Sequence, residues 1–481
     1  MIGMILDKKS RSRTLAALSV LALTSTAACG GSPTAPARQA PTAVPASTGS
    51  AAEQGPVADS DAGGNEKEVA TVKPRLLMSH AEGLTLLDAD SGVVVANKKH
   101  PAFLRLANAG DGRHVMVADG DTFRVYDTGI QAQKHGDHYH NYEYIPGLTA
   151  KTYAMPHAGH VVLHHGRTVL FADGTGEIKA LDSTKIAGAK PQITEYKTDT
   201  PHHGVAVELA DDTLVRTEGT EDERHTIKAI KDGKTTAETT DCPGVHGEAV
   251  AEPTAKGDVL AFGCENGPVV YRDGAFHKVP VKDAYSRSGN LFGHEESPIV
   301  LGDYKIDKDA KPVERPTRIS LIDTRTDTLR LVDLKSPYWF RSFARGPQGE
   351  GLVLTYDGKL HVIDVDSGKQ TAAIDVIEPW QEKEDWQEPG PAVEVAGSKA
   401  YVTDAENKKM SVVDLATRKV VTTYDLPAAP VEIAVTTGKA EVPADAHEGH
   451  DHTEGHDHTE GHDHTEGHDH TEGHDHAGHE H

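Results

Sequence analysis

From about residue 75 to residue 437 the chain alternates apolar and polar positions in short runs broken by Gly and Asp turns. RLLMSH, LTLLDA and VVVANK open the series. AVEVAG, KAYVTD, MSVVDL and VVTTYDL close it, ahead of a last run, PVEIAVTT, at 430–437. Period-two alternation over so few residues predicts half-buried β-strands, and no amphipathic helical pattern separates them. A pair of apolar residues followed by Asp and a turn recurs at Asp88, Asp127, Asp182, Asp232, Asp273, Asp323, Asp364 and Asp414, spaced 39 to 55 residues apart. A period of about 47 residues, with four short strands to a unit, predicts an all-β β-propeller. The first unit lacks an innermost strand, and 430–437 is a strand without a unit. The C-terminal strand is therefore expected to complete the N-terminal blade and close the ring, removing two sheet edges. Eight blades are predicted, with seven as the alternative.

The ends of the chain follow other rules. Lys8, Lys9, Arg11 and Arg13 precede LAALSVLAL at 15–23, an apolar run too short for a good membrane span. Ala27 and Ala28 then lead into Cys29, as at a lipoprotein signal-peptidase site, although Thr26 stands where Leu is usual. The reading is a signal peptide over 1–28 and a lipid on Cys29. The alternative is ordinary secretion with Cys29 unmodified. Residues 29–70 are Ala, Pro, Ser, Thr and Gly with few large apolar side chains, so they read as a disordered tether. Residues 71–438 are the propeller, and 439–481 a disordered tail rich in His, Asp and Glu.

A formal charge of −25, about half of it in that tail, excludes nucleic acid as a partner and leaves the lipid as the expected membrane contact. Cys242 and Cys264 form an even pair in an oxidising compartment. A disulfide between them closes a loop of about 22 residues and contributes about 3 kcal/mol through loop entropy. A thiolate metal site is the competing reading.

Histidine is where the chemistry concentrates. The tail repeats the unit GHDHTE, and its HDH steps at His450, His452, His456, His458, His462, His464, His468, His470, His474 and His476 offer many weak metal sites. Seventeen of the 30 histidines lie outside the tail, and several precede an innermost strand: His100, His157, His160, His202, His203, His246 and His294. Innermost strands of a propeller start on one face, so these should converge on one channel mouth. Imidazoles drawn from separate blades suit zinc, which takes three or four N or O ligands. Loading such a site should release protons, so affinity should fall steeply below about pH 6.5. A second cluster, His135, Asp137, His138 and His140, lies in KHGDHYHNYEY, read as a mobile loop inserted in the second blade. His164 and His165 are expected in a surface hairpin at the opposite end of their blade.

These stretches resemble the AztD family of extracytoplasmic zinc metallochaperones. The matching segments are HGDHYH, GHVVLHHGRTVLFADGTGE, PHHGVAVEL, CPGVHGEA, GCENG, SPIVLGDYK and RPTRISLIDTRT, spread over the whole predicted propeller. The resemblance implies a β-propeller that binds Zn²⁺ and passes it to the substrate-binding protein of a zinc ABC transporter. On this chain the family's histidine motifs fall on His138 and His140, with His135 and Asp137 beside them, and on His160, His202, His203 and His246. The lipobox-like signal and the long GHDHTE array depart from the family pattern. Two other readings stay open. One is a metal buffer for zinc, nickel, copper or cobalt, since ligands alone do not name the metal. The other is a propeller-fold metal enzyme, although no nucleophile motif is legible.

Overall fold

The structure is a computed structural model and describes residues 58–440. The signal peptide, Cys29, most of the tether and the ten tail histidines named above lie outside the described residues. Within 58–440 the chain is all-β, with two 3-10 turns, Ser183–Lys185 and Phe340–Ser342, as its only helical pieces. Among the described residues no helix is long and apolar enough to cross a membrane.

Eight four-stranded antiparallel sheets follow one another along the chain, with a three-stranded sheet beside the second. Their first strands are, in order, Glu432–Thr436, Arg105–Asn108, Ala158–His164, Ala206–Glu208, Glu248–Thr254, Leu291–Phe292, Phe343–Arg345 and Val393–Ala396. The first sheet thus takes its first strand from the far end of the chain: Glu432–Thr436 pairs with Arg75–His80, Thr436 opposite Arg75 and Glu432 opposite Ser79.

Apolar side chains on the two faces of each sheet meet those of its neighbours. Leu86 and Val117 join the first sheet to the second, and Met116 and Leu170 the second to the third. Tyr401 and Met78 join the eighth back to the first. A fully buried Leu or Val contributes about 1.5–3 kcal/mol relative to exposure, so these contacts carry most of the stability.

The recurrent Asp has a local cause. At Asp88, Asp364 and Asp414 the third strand ends, and the carboxylate accepts backbone N–H groups from Ser91, Ser367 and Thr417, folding an Asx turn. Asp232 and Asp273 do the same task differently. Each sits at positive φ before a Gly also at positive φ, the paired geometry of a tight two-residue hairpin.

Antiparallel pairing puts the end of a first strand, the start of the second and the end of the third at one edge. Thr168 Oγ1, starting a second strand, donates to Ala109 O just past the first strand of the preceding sheet at 2.8 Å, so neighbouring sheets share that edge. A cavity of about 430 Å³ runs between the first strands of five sheets.

Two sequence expectations change here. The insertion in the second sheet is a β-hairpin, Ile130–His135 and His138–Glu143, with His135 opposite His138 at its tip. Part of the expected tether is ordered: Lys67–Val69 pairs with the hairpin, and Asp59 bonds Lys98 Nζ at 2.6 Å. Composition hid this, because the strand is short and gains its partners from far along the chain.

Candidate metal centre

Three side chains from three sheets meet at one edge. His160 lies near the start of its strand, where the register slips between Ala158 and Val161. Such a bulge re-aims a side chain. His203 and His246 sit in the leads into their own first strands. The ring centroids are 4.7 Å apart for His160 and His203, 5.8 Å for His160 and His246, and 5.1 Å for His203 and His246.

Each ring is held by its Nδ1. His160 Nδ1 donates to Gly204 O at 2.9 Å, His203 Nδ1 to Asp173 Oδ2 at 2.6 Å, and His246 Nδ1 to Gly289 O at 2.6 Å. A carbonyl only accepts, so the proton of a neutral ring rests on Nδ1 and the Nε2 lone pair points into the cluster. Two glycines make this possible. A Cβ on Gly204 would lie 2.6 Å from both His202 Nε2 and Phe171 Cζ. A Cβ on Gly247, at φ +74°, would lie 2.6 Å from the Gly289 carbonyl that holds His246.

Burial, and then the neighbouring histidines, push the His160 ring well below the ordinary imidazole value. Burial pushes His246 down to about 3, against the Gly289 bond that favours its charged form. Both rings are neutral near pH 7, the form that ligates. The steep proton release expected from the sequence does not follow from these two rings. Glu248, two residues beyond His246 and lining the cavity, is pushed up to about 8 by burial.

A disulfide anchors this corner. Cys242 and Cys264 are buried and bonded, with His246 N donating to Gly263 O at 3.0 Å one residue away from Cys264.

His202 does not join the cluster, contrary to its place among the expected ligands. Its Nδ1 reaches Thr200 O at 3.0 Å and its Nε2 reaches Thr217 Oγ1 at 2.9 Å, so both nitrogens are engaged in the interior. The lead is irregular, and of the two neighbours only His203 joins His160 and His246. His100 pairs with Asp119 at 3.1 Å, and His294 Nδ1 accepts from Glu296 N at 3.2 Å. Neither they nor His157 belong to the cluster.

The hairpin gathers a second group. His138 and His140, two apart on one strand, share a face, and His135 stands across from them. His138 Nε2 lies 3.3 Å from His140 Nε2. Asp137 Oδ1 takes His138 Nδ1 at 3.2 Å, and Glu68 Oε1 takes His140 Nδ1 at 2.9 Å. The hairpin follows Asp127, the end of a third strand. It therefore belongs to the edge opposite His160, His203 and His246, and a channel-mouth histidine does not complete it.

Sequence reading missed Asp173 and Glu68. Asp173 closes the FADG turn after a second strand, and Glu68 lies in the supposed tether. His164 was also misread: it is 6% exposed rather than on the surface.

No family model matches the chain. The zinc chaperone AztD of Citrobacter koseri is 28% identical over 386 residues, covering 77% of this chain and 88% of that protein. A crystal structure of the Citrobacter koseri AztD superposes with a TM-score of 0.65 at 25% identity, over 77% of this chain and 99% of that one. The apo form gives 0.64 at 24%, over 76% and 98%. The resemblance to the AztD zinc chaperones therefore holds in sequence and in structure.

Proposed function

We propose that this chain is an extracytoplasmic zinc metallochaperone, not an enzyme, anchored through a lipid on Cys29. The eight sheets are read as the blades of a propeller closed by Glu432–Thr436. The signal peptide, the tether up to residue 57 and the tail complete the domain plan. In this reading His160, His203 and His246 hold Zn²⁺. The hairpin residues His135, Asp137, His138 and His140, with the tail histidines, collect it. The substrate-binding protein of a zinc ABC transporter receives it.

One observation carries the reading. His203 Nε2 and His246 Nε2 face each other at 3.1 Å while both Nδ1 atoms are bound to oxygen acceptors. Two lone pairs at that distance repel unless a proton or a metal ion lies between them. Tetrahedral zinc with bonds of about 2.0–2.1 Å sets its ligand atoms about 3.3 Å apart. Three histidines leave a fourth position open, where an incoming ligand from a partner begins an exchange. Zinc is preferred over nickel, copper or cobalt because the relative is named a zinc chaperone.

The test is transfer. Zinc-loaded protein is mixed with the candidate binding protein in the presence of a competing chelator. Delivery to the partner faster than the chelator captures zinc supports the chaperone. Partner loading no faster than zinc dissociates into the chelator indicates a buffer and overturns the delivery reading.

A further inference from the structure

The carbonyl that holds His246 has a carboxylate behind it. His246 Nδ1 donates to Gly289 O at 2.6 Å. The N–H of that same peptide unit, Asn290 N, donates to Asp303 Oδ1 at 3.0 Å, and Gly289 N donates to the same oxygen at 2.6 Å. Asn290 Nδ2 reaches Asp303 Oδ2 at 3.2 Å. The backbone closes the arrangement: Asp303 N donates to Asn290 O at 3.1 Å, and Ser320 Oγ donates to Asp303 O at 3.2 Å.

The sixth sheet explains the placement. Asp303 ends its second strand, Ile299–Asp303, and Leu291 lies opposite Gly302, so Asn290 stands opposite Asp303 one step further on. Ends of second strands share an edge with the starts of first strands, the edge where His160, His203 and His246 meet. Asp303 is buried, and a carboxylate is kept in such a place only by hydrogen bonds to it. The N–H groups it accepts from all belong to Gly289 and Asn290. Gly289 has room for no side chain there, since a Cβ would lie 3.0 Å from Arg287 Nε.

A peptide whose N–H donates to a carboxylate is polarised, and its own C=O becomes a stronger acceptor, by about 10–30% per bond in a hydrogen-bonded chain. The stronger acceptor draws on His246 Nδ1–H and makes Nε2 a better donor to a metal. His160 supplies the contrast within the same cluster. Its Nδ1 also donates to a backbone carbonyl, Gly204 O, but the N–H of that peptide unit, Val205 N, donates to the neutral Thr217 Oγ1 at 3.0 Å.

We propose that Asp303 is a positioning residue of the zinc site, acting on His246 through the Gly289–Asn290 peptide as Asp173 acts on His203 directly. This rests on the reading of His160, His203 and His246 as the zinc ligands. Asp303 touches none of the three rings, and its carboxylate sets how firmly one of them holds the ion.

Asp303→Asn tests this in the full chain, because it keeps an oxygen for the two backbone N–H groups and removes the charge. In zinc-free protein the proton resonance of His246 Nδ1–H, assigned by its loss in His246→Ala, is expected to move upfield in Asp303→Asn while that of His160 Nδ1–H stays. Affinity of the tightest site, measured against a chromophoric chelator, is expected to fall about tenfold. An unmoved His246 resonance overturns the proposal, as does a moved one with affinity unchanged. Equal movement of both resonances reports a general loosening of the fold and also overturns it. The wild type gives an arm without mutation at Asp303: its His246 signal should lie downfield of the His160 signal, and the reverse order overturns the proposal. Full affinity in His246→Ala sinks the ligand set and the positioning role together, a result told apart from the others because Asp303 is intact in it.

Discussion

Asp173 Oδ2 lies 2.6 Å from His203 Nδ1, on the far side of the ring from His246. A carboxylate behind an imidazole fixes its tautomer, aims its free nitrogen and raises its basicity toward a metal. Asp173 acts through His203 and stands outside the group of ligand atoms, so it is a positioning residue.

Asp173→Asn is therefore expected to weaken the tight zinc site by about 10- to 100-fold without removing it. Competition against a chromophoric chelator measures this. Unchanged affinity would show that the Gly204 and Gly289 carbonyls suffice to orient the cluster.

His202 and His203 are neighbours with opposite assignments. His203→Ala should abolish tight binding. His202→Ala should leave it nearly unchanged but lower stability by about 1–3 kcal/mol, because Thr217 and Thr200 lose a buried partner. Zinc titration and urea unfolding of the two variants separate the roles. Equal loss of affinity in both would contradict the placement of His202.

The pH dependence of loading should be shallow. His246 is held down to about 3 and His160 well below the ordinary value, so above pH 6 neither has a proton for zinc to displace. Proton competition from these rings begins only as the pH falls toward those values. Affinity at the tight site should change by less than about tenfold per pH unit between about pH 7.5 and 6. Release of two or more protons per zinc, measured by calorimetry in buffers of different ionisation enthalpy, would refute this.

A second pH effect belongs to stability. Burial alone would lower His114, but Asp111 and Asp127 overcome it and push the ring up to about 9. The folded value exceeds the unfolded value of about 6.5, so this contribution is fully present below about pH 6.5 and fades as the pH rises through 9. Asp127, held at about 2, acts in the opposite sense and loses its contribution only in acid. Wild type should lose on the order of 2 kcal/mol more than His114→Gln between about pH 6 and pH 9.5 in urea unfolding. Parallel profiles would count against the ion pair.

The sheets were legible because period-two alternation and strand-ending Asp are local signals. The strand bounds Arg75–His80 and Lys399–Asp404 coincide with the runs read from sequence. The starts of first strands also located His160, His203 and His246. Local pattern could not separate His202 from His203, since side-chain parity is undefined in an irregular lead. It could not find Asp173 either, because that residue reaches His203 from the preceding sheet. The hairpin eluded it for a related reason: HGDHYH carries no apolar alternation, and its partner strand holds Glu68.

The strand that completes the first sheet also decides where the acidic histidine repeats take off. After Thr436, Gly438 N donates to Gly112 O and Gly438 O accepts from Ala132 N at the base of the hairpin. Lys439 Nζ then rests 4.7 Å from the Tyr139 ring, between His138 and His140. His450 is only eleven residues further on, a span of at most about 40 Å for an extended chain. If the repeats and the hairpin both hold zinc as proposed, exchange between them is an intramolecular encounter, at an effective concentration on the order of millimolar however dilute the protein. Moving the same repeats to a separate polypeptide would keep every ligand and forfeit that advantage.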